Sequence, residues 1–562
     1  MKTVYKSLFA AALTAPLLTG CIEEAIPTNA IIQTQLESSP KATEALVWAM
    51  PGHLNVIATL GQQYHFDFGW PSLMHIRDVM TEDMYVRDAG GYNWFSSWSS
   101  NNTGLGPNYL ICQYPWNYFY AHILTTNKAV SAVDPATEDP TLQLYLGAAY
   151  ANRALTYLDA ARMYEFLPTQ FYPKGVIGEG EGAVTILGLS IPIVDETTTE
   201  EQMRNNPRAT HEQMISFIKG DLEKAIDLLG KGASTSDKTL PSLEVAYGLM
   251  ARLNLWDASY QEEVGDPALA TTAYSEAAKY ARLAITTGGH TPLTQDQWLS
   301  TTSGFNDSSF SSWMLAGQYV TEDDAVQAGA IRTWTSFMSP EQTFGYAAPA
   351  QGAFPEIGAS LYDKISDRDF RKLSFTPVEG SPLADRIPYI DKAFAAENFD
   401  SPYIAIKFRP GGGNMSDGTV GAVVAYPLMR VEEMYLIEAE AVAHSNPAEG
   451  RKLLENFMTT YRYANYKTNV SEVNEVVQEI ILQKRIELWG EGQTFFDVKR
   501  LNMSVTRYYG GTNFEPGLDT FNTNGRPAWM NFCITNQEID NNQALKGFNS
   551  PSPAGLYDAI EQ

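Results

Sequence analysis

Two pairs of carboxylates stand where acid–base chemistry would use them. Asp67 and Asp78 flank Trp70 and His75, and Glu438 and Glu440 are two positions apart in a predicted helix. Hydrolysis of a glycoside ordinarily needs two carboxylates facing the scissile bond, so either pair raises a glycosidase reading. With 65 Asp and Glu in 562 residues, adjacent acids are common by chance, and ion pairing explains them more economically. Other catalytic patterns are missing from the sequence: it has no Gly-x-Ser-x-Gly elbow, no His-Glu-x-x-His and no phosphate loop. The glycines at 178, 180 and 182 enclose Glu179 and Glu181, which would repel a phosphate. Seven His residues lack metal spacing. Asp519, Asn522, Asn524 and Asp540 are a weak candidate set for a structural Ca²⁺, with an ordinary polar loop as the stronger expectation, and no other cofactor is expected.

What remains is binding by aromatic faces. Residues 92–109, YNWFSSWSSNNTGLGPNY, have the Gly, Ser, Asn and Pro content of a loop yet carry Trp94, Phe95 and Trp98. A sugar ring presents apolar C–H groups that lie well on such faces, and its hydroxyls need amide, carboxylate or guanidinium partners. Trp94, Trp98, Asn101 and Asn102 offer both kinds of group. Arg77 and Asp78 precede this loop and would add charged hydrogen bonds, and Tyr319, Trp334 and Tyr346 are expected to form the opposing wall. The competing expectation for each ring is that it packs the loops onto the helices.

The elements that must carry these loops are helices in pairs. Residues 115–133 and 141–164 form the first pair; Leu146, Tyr150, Tyr157, Ala161 and Tyr164 share one 3.6-period face. Residues 211–229, 243–259 and 274–286 repeat the scheme, with small Ala at contact positions and bulky Tyr opposite. Pairs of this length match stacked helix-turn-helix repeats of tetratricopeptide type. Periodicity fails from 291 to 425, a Gly-, Pro- and aromatic-rich stretch expected to be a large irregular insertion that carries binding loops. Helices resume at 428–443, 447–463 and 470–489. The chain therefore divides into a leader (1–20), a tether (21–40), a helical scaffold (41–290), the insertion (291–425) and C-terminal helices (426–562), a mainly α protein.

Residues 485–500, RIELWGEGQTFFDVKR, close that scaffold. Gly490 and Gly492 stop a helix, Phe495 and Phe496 require burial, and Glu487, Glu491 and Asp497 are expected to pair with Arg485, Lys499 and Arg500. The formal charge of −26 disfavours nucleic acid and anionic lipid surfaces as partners. At the start, Lys2 and Lys6 precede a short apolar run, and Leu18-Thr19-Gly20-Cys21 matches a bacterial lipobox in which Cys21 is acylated. No later run reaches 18 apolar residues. Cys112 and Cys533 remain, as free buried thiols or as a single bridge permitted in an exported protein.

Several of these stretches resemble the SusD/RagB family. They are NRALTYLDAARMY at 152–164, Ile191-Pro192-Ile193-Val194, Pro207-Arg208-Ala209-Thr210, LMRVEEMYLIEAEAVA at 428–443, the 485–500 motif, and ITNQEIDNNQAL at 534–545, in that order. The resemblance implies a non-catalytic surface lipoprotein of Bacteroidetes that binds an oligosaccharide or polysaccharide. It further implies delivery to a SusC-like TonB-dependent outer-membrane transporter over which the protein sits as a lid, and Ile22-Glu23-Glu24 resembles the signal for outer-face sorting. A peptide ligand, as in RagB-like members, is the alternative, with a surface glycosidase behind it.

Overall fold

The computed structural model describes residues 40–87, 94–98, 104–302, 305–516 and 520–560. The leader, Cys21, the tether to residue 39, Asn101, Asn102 and Asp519 lie outside the described residues. The scaffold is built from α1 (Pro40–His53), α2 (Trp70–Val79), α3 (Leu110–Ser131), α4 (Pro140–Tyr164), α5 (His211–Lys231), α6 (Leu243–Val264) and α7 (Pro267–Thr287). After the insertion come α8 (Val431–Ala443), α9 (Pro447–Tyr461), α10 (Val473–Glu487) and α11 (Thr494–Arg500). Their boundaries follow local chemistry. The Asp139 carboxylate accepts from the Thr141 and Leu142 N–H groups with Pro140 in the first turn of α4, and Thr210 and Gln213 form a capping box on α5. Gly265, at φ 83°, ends α6.

From α3 onward, successive helices stack on one another, and α7 packs directly on α8 although the whole insertion separates them in sequence. Small residues permit that approach. Ala273, Ala277 and Ala281 recur every four residues on α7 and are buried, and a Cβ on Gly248 of α6 would meet the Met429 sulfur at 2.4 Å. The insertion leaves and rejoins the scaffold through a strand pair, β2 (Trp313–Gln318) with β4 (Ala425–Arg430), antiparallel and irregular between Trp313 and Ala316. A second pair joins β1 (Met84–Val86) to β3 (Pro355–Ile357), with Tyr85 opposite Glu356. Leu428, Met429 and Arg430, expected in a helix, are therefore strand; pairing with β2 outweighs their helical pattern.

The 485–500 segment is buried as expected, but its partners differ. Glu487 accepts from Arg462 Nε and Nη2 at 2.7 Å and from Arg371 Nη1 at 3.0 Å, and Arg430 lies 3.3 Å away. Glu491 holds Arg430 and Lys407. Of the expected internal pairs, Asp497 with Arg500 is formed, and Asp497 also binds Lys484. Arg485 instead reaches Glu82 and Asp83, and Lys499 donates to the Met163 carbonyl at 2.8 Å. The segment thus ties α10 and α11 to β4, to the insertion and to the residues after α2. Gly492 (φ 69°) is fixed by the same crowding, since a Cβ there would lie 2.7 Å from Met74 Cα.

Cys112 and Cys533 are both buried free thiols, and their mutual contact, with burial, pushes the Cys112 thiol well up. No described helix is long and apolar enough to cross a membrane.

Candidate functional site

Most of the residues expected at the ligand are structural. Arg77 is fully buried, pairs with Asp159 on α4 at 2.7 Å and lies over the Phe496 ring. Asp78 accepts from the Gly492 N–H at 2.9 Å, and burial pushes its carboxyl up to about 8. Both serve the C-terminal junction, because α2 turns its whole circumference into the core. Trp98, Tyr319 and Trp334 are buried too: Trp98 against Phe66 at 4.5 Å, Tyr319 against Tyr426, and Trp334 edge-on to Phe408 at 5.0 Å. Trp98 and Trp334 sit on short helices, Trp94–Trp98 and Trp334–Met338, that pack against the core, so their large apolar rings are drawn inward.

Trp94 and Tyr346 remain half-buried, and they belong to a layered aromatic surface. The inner layer is Phe66, Phe68, Phe95, Trp98 and Phe337, with Phe68 and Phe337 stacked at 4.8 Å. Over it lie Tyr64, stacked on Phe66 at 5.1 Å; Trp94, edge-on to Phe66 at 5.8 Å; and Tyr346, stacked on Phe337 at 5.0 Å. His65 packs beside Tyr346 with Nε2 3.3 Å from its hydroxyl. Outer rings backed by a rigid inner layer lose little freedom when a ligand stacks on them.

A cleft lies one short segment away. Segment 346–354 links the two: the Ala353 N–H donates to the Tyr346 carbonyl, and the Arg87 N–H donates to the Phe354 carbonyl. The cleft has a volume of about 400 Å³ and is lined by Tyr85, Arg87, Glu356, Asp400, Tyr403 and Asn513, among others. Arg87 bridges Glu356 at 3.0 Å and Asp400 at 2.8 Å. Burial raises the Glu356 carboxyl while Arg87 opposes it. Tyr403 holds a left-handed backbone, φ 75°, fixed by hydrogen bonds from its N–H to Thr376 and from Ile357 to its carbonyl. Strain of this kind, held by its surroundings, concentrates at ligand sites.

Tyr64, His65, Tyr85, Arg87, Glu356 and Tyr403 were not singled out from sequence. The polar run before Tyr64 is a loop-like setting for an aromatic and was the available signal; the cleft residues come from four distant segments and gave none. A larger groove of about 500 Å³ beside Trp116 and Tyr120 has amides, but Asn206 and Asn542 bond each other there and the Tyr120 hydroxyl is committed to Pro192.

The carboxylates considered for catalysis are occupied. Asp67 accepts from the Thr59 hydroxyl and the Leu60 N–H, with burial pushing it up to about 6; Glu438 pairs with Arg282 and Glu440 with Arg500. Among the described residues no group of three or more His, Cys, Asp or Glu could hold a metal ion. Of the Ca²⁺ candidates, Asn522 spends its side chain on the backbone of Arg507 and Tyr508.

Comparison with known proteins gives a consistent result. A family profile described as "Starch-binding associating with outer membrane", SusD-like, matches residues 72–255, and the SusD family profile matches residues 392–550. The chain is 21% identical over 476 residues, 78% of it and 81% of the relative, to "SusD-like protein P38" of Formosa agariphila. Its fold is similar to a SusD-like carbohydrate binding protein from Bacteroides vulgatus, with TM-score 0.67 and 18% identity, covering 91% of this chain and 98% of that one. It is also similar to surface glycan-binding protein A from Bacteroides thetaiotaomicron in complex with laminarihexaose, with TM-score 0.60 and 16% identity, covering 91% and 99%.

Proposed function

The chain belongs to the SusD/RagB family, and from that premise we propose that it captures an oligosaccharide or polysaccharide without cleaving it. In this reading it is anchored at the cell surface through acylated Cys21 and passes its ligand to a SusC-like TonB-dependent transporter in the outer membrane. The observation that carries the binding step is the layered aromatic surface. Tyr64, Trp94 and Tyr346 present partly open faces, and the 346–354 segment joins them to a cleft that offers the polar groups of Arg87, Asp400 and Asn513; a pyranose needs both kinds of contact. The laminarihexaose bound by one fold relative is in keeping with it. A non-catalytic role is supported by the carboxylates, each held by a donor rather than poised for a substrate.

Affinity electrophoresis of the mature protein in polysaccharide gels tests this. The wild type is expected to be retarded by at least one polysaccharide, and Trp94→Ala combined with Tyr346→Ala to migrate freely with unchanged melting temperature. Equal retardation of the double variant would place the site elsewhere, and binding to a peptide panel in place of glycans would favour the RagB-like alternative.

A further inference from the structure

Charge inside this protein is matched almost everywhere. Buried arginines bind carboxylates, as Arg77, Arg153, Arg252, Arg371, Arg430 and Arg485 do, or backbone carbonyls, as Arg208 and Arg507 do. Arg332 is the exception among the described residues: it is 5% exposed, forms no ion pair or hydrogen bond, and its Nη1 is buried without a partner. A buried guanidinium nitrogen without a hydrogen-bond acceptor is expensive, and among the described residues the chain supplies Nη1 with none.

Its position is fixed and relevant. Ala330 holds a left-handed backbone, φ 58°, and the Thr333 and Ser336 hydroxyls donate to the Ala330 and Ile331 carbonyls, so the 330–336 segment is pinned on both sides of Arg332. Ser336 also receives the Tyr346 N–H, which ties this segment to the backbone of one outer ring. Together with burial, the Arg332 charge lowers the pKa of His65, which packs beside Tyr346, and that charge acts in the same direction on Asp67, which follows Phe66 of the inner layer. Asp67 is committed to Thr59 and Leu60 and forms no ion pair with Arg332.

We propose that Arg332 is the anion-recognition group of the glycan surface, and that the ligand carries carboxylate or sulfate groups. This rests on the glycan-binding reading above and names the class of sugar within it. A planar guanidinium matches either oxyanion with two parallel hydrogen bonds, and in a partly desolvated setting such bonds are about twice as strong as neutral ones. The net charge of −26 repels polyanions at long range, but that repulsion is screened within about 8 Å at physiological salt, which leaves selection to contact.

The test pairs each polyanion with its own uncharged backbone: polygalacturonate and alginate with their carboxyl-reduced forms, and a sulfated galactan with its desulfated form. Affinity gels and thermal shifts are read for the wild type, Arg332→Met and Arg332→Lys. The wild type is expected to bind a charged polymer at least about tenfold more tightly than its neutral counterpart, more so at low salt. Arg332→Met should abolish that difference without lowering the melting temperature of the free protein, and Arg332→Lys should keep part of it. Carboxylate and sulfate are told apart by which arm responds. Equal binding of charged and neutral forms would overturn the inference while leaving glycan capture intact, and a preference that survives in Arg332→Met would overturn the role of Arg332. A fall in melting temperature with the preference intact would mark Arg332 as structural. Retention by none of the polymers, charged or neutral, would overturn the glycan reading together with the inference.

Discussion

Two regions of this molecule treat buried charge in opposite ways. At the C-terminal junction Glu487 lies under three guanidiniums and Glu491 binds an arginine and a lysine. Near the aromatic surface Arg332 forms no ion pair or hydrogen bond among the described residues. The first arrangement locks five segments together and leaves nothing for a ligand to do. The second leaves a buried guanidinium nitrogen unpaired and the outer rings half-buried. A dense cluster of conspicuous charged residues is thus the mark of assembly here, and the inconspicuous unmatched group is the one we propose for recognition.

The comparison is tested most severely at Glu487. Glu487→Ala strands Arg371, Arg430 and Arg462 around one empty position and should cost about 3–5 kcal/mol in denaturant melts; a loss below about 1 kcal/mol would mean that the junction is not what holds the helices. The pH dependence carries the same signature. Burial works against the Glu487 charge, but Arg462, Arg430 and Arg371 outweigh it and hold its carboxyl far below the ordinary range. Its stabilisation is therefore complete above an ordinary glutamate pKa of about 4.3 and lost as pH falls toward the folded value. Asp78 has the opposite sign. Its folded carboxyl is raised to about 8, so the folded state binds the extra proton and the wild type loses stability as pH rises from about 4 toward about 8. Asp78→Asn should remove that component, seen as a rising stability difference between variant and wild type over the same window.

Smaller effects are expected at the aromatic surface. Trp94→Ala or Tyr346→Ala alone should weaken glycan binding by about 1–2 kcal/mol, measured by calorimetry, with melting temperature held within a few degrees because both rings are already half-open. If either variant unfolds, the outer layer is core and the contrast between the regions narrows. The smallest effect belongs to Arg282, about half-exposed and paired with Glu438 at 2.8 Å: Arg282→Ala should cost less than about 1 kcal/mol, since solvent screens what the junction does not.

How much of this was legible beforehand differs between scaffold and site. The helices read from 3.6-residue periodicity recur with ends shifted by up to seven residues, except at 428–430, where a strand partner more than a hundred residues away in sequence took the backbone instead. Expected site residues fared worse. Arg77 and Asp78 looked like ligand groups because they precede an aromatic loop, yet their partners are Asp159 and Gly492 on distant elements. Trp98, Tyr319 and Trp334 had the composition of exposed loop aromatics, and packing buried them.

The amino-acid sequence by itself determined the paired helices, the glycine stops at 490 and 492, the burial of Phe495 and Phe496 and the membership of a family, since each depends on local periodicity, backbone freedom or a contiguous motif. Tertiary structure alone decided which rings stay open, which carboxylates are spent on arginines, and that Arg332 is left unpaired among the described residues. Those outcomes depend on partners brought from far along the chain, and a side chain's type does not record what folding will place beside it.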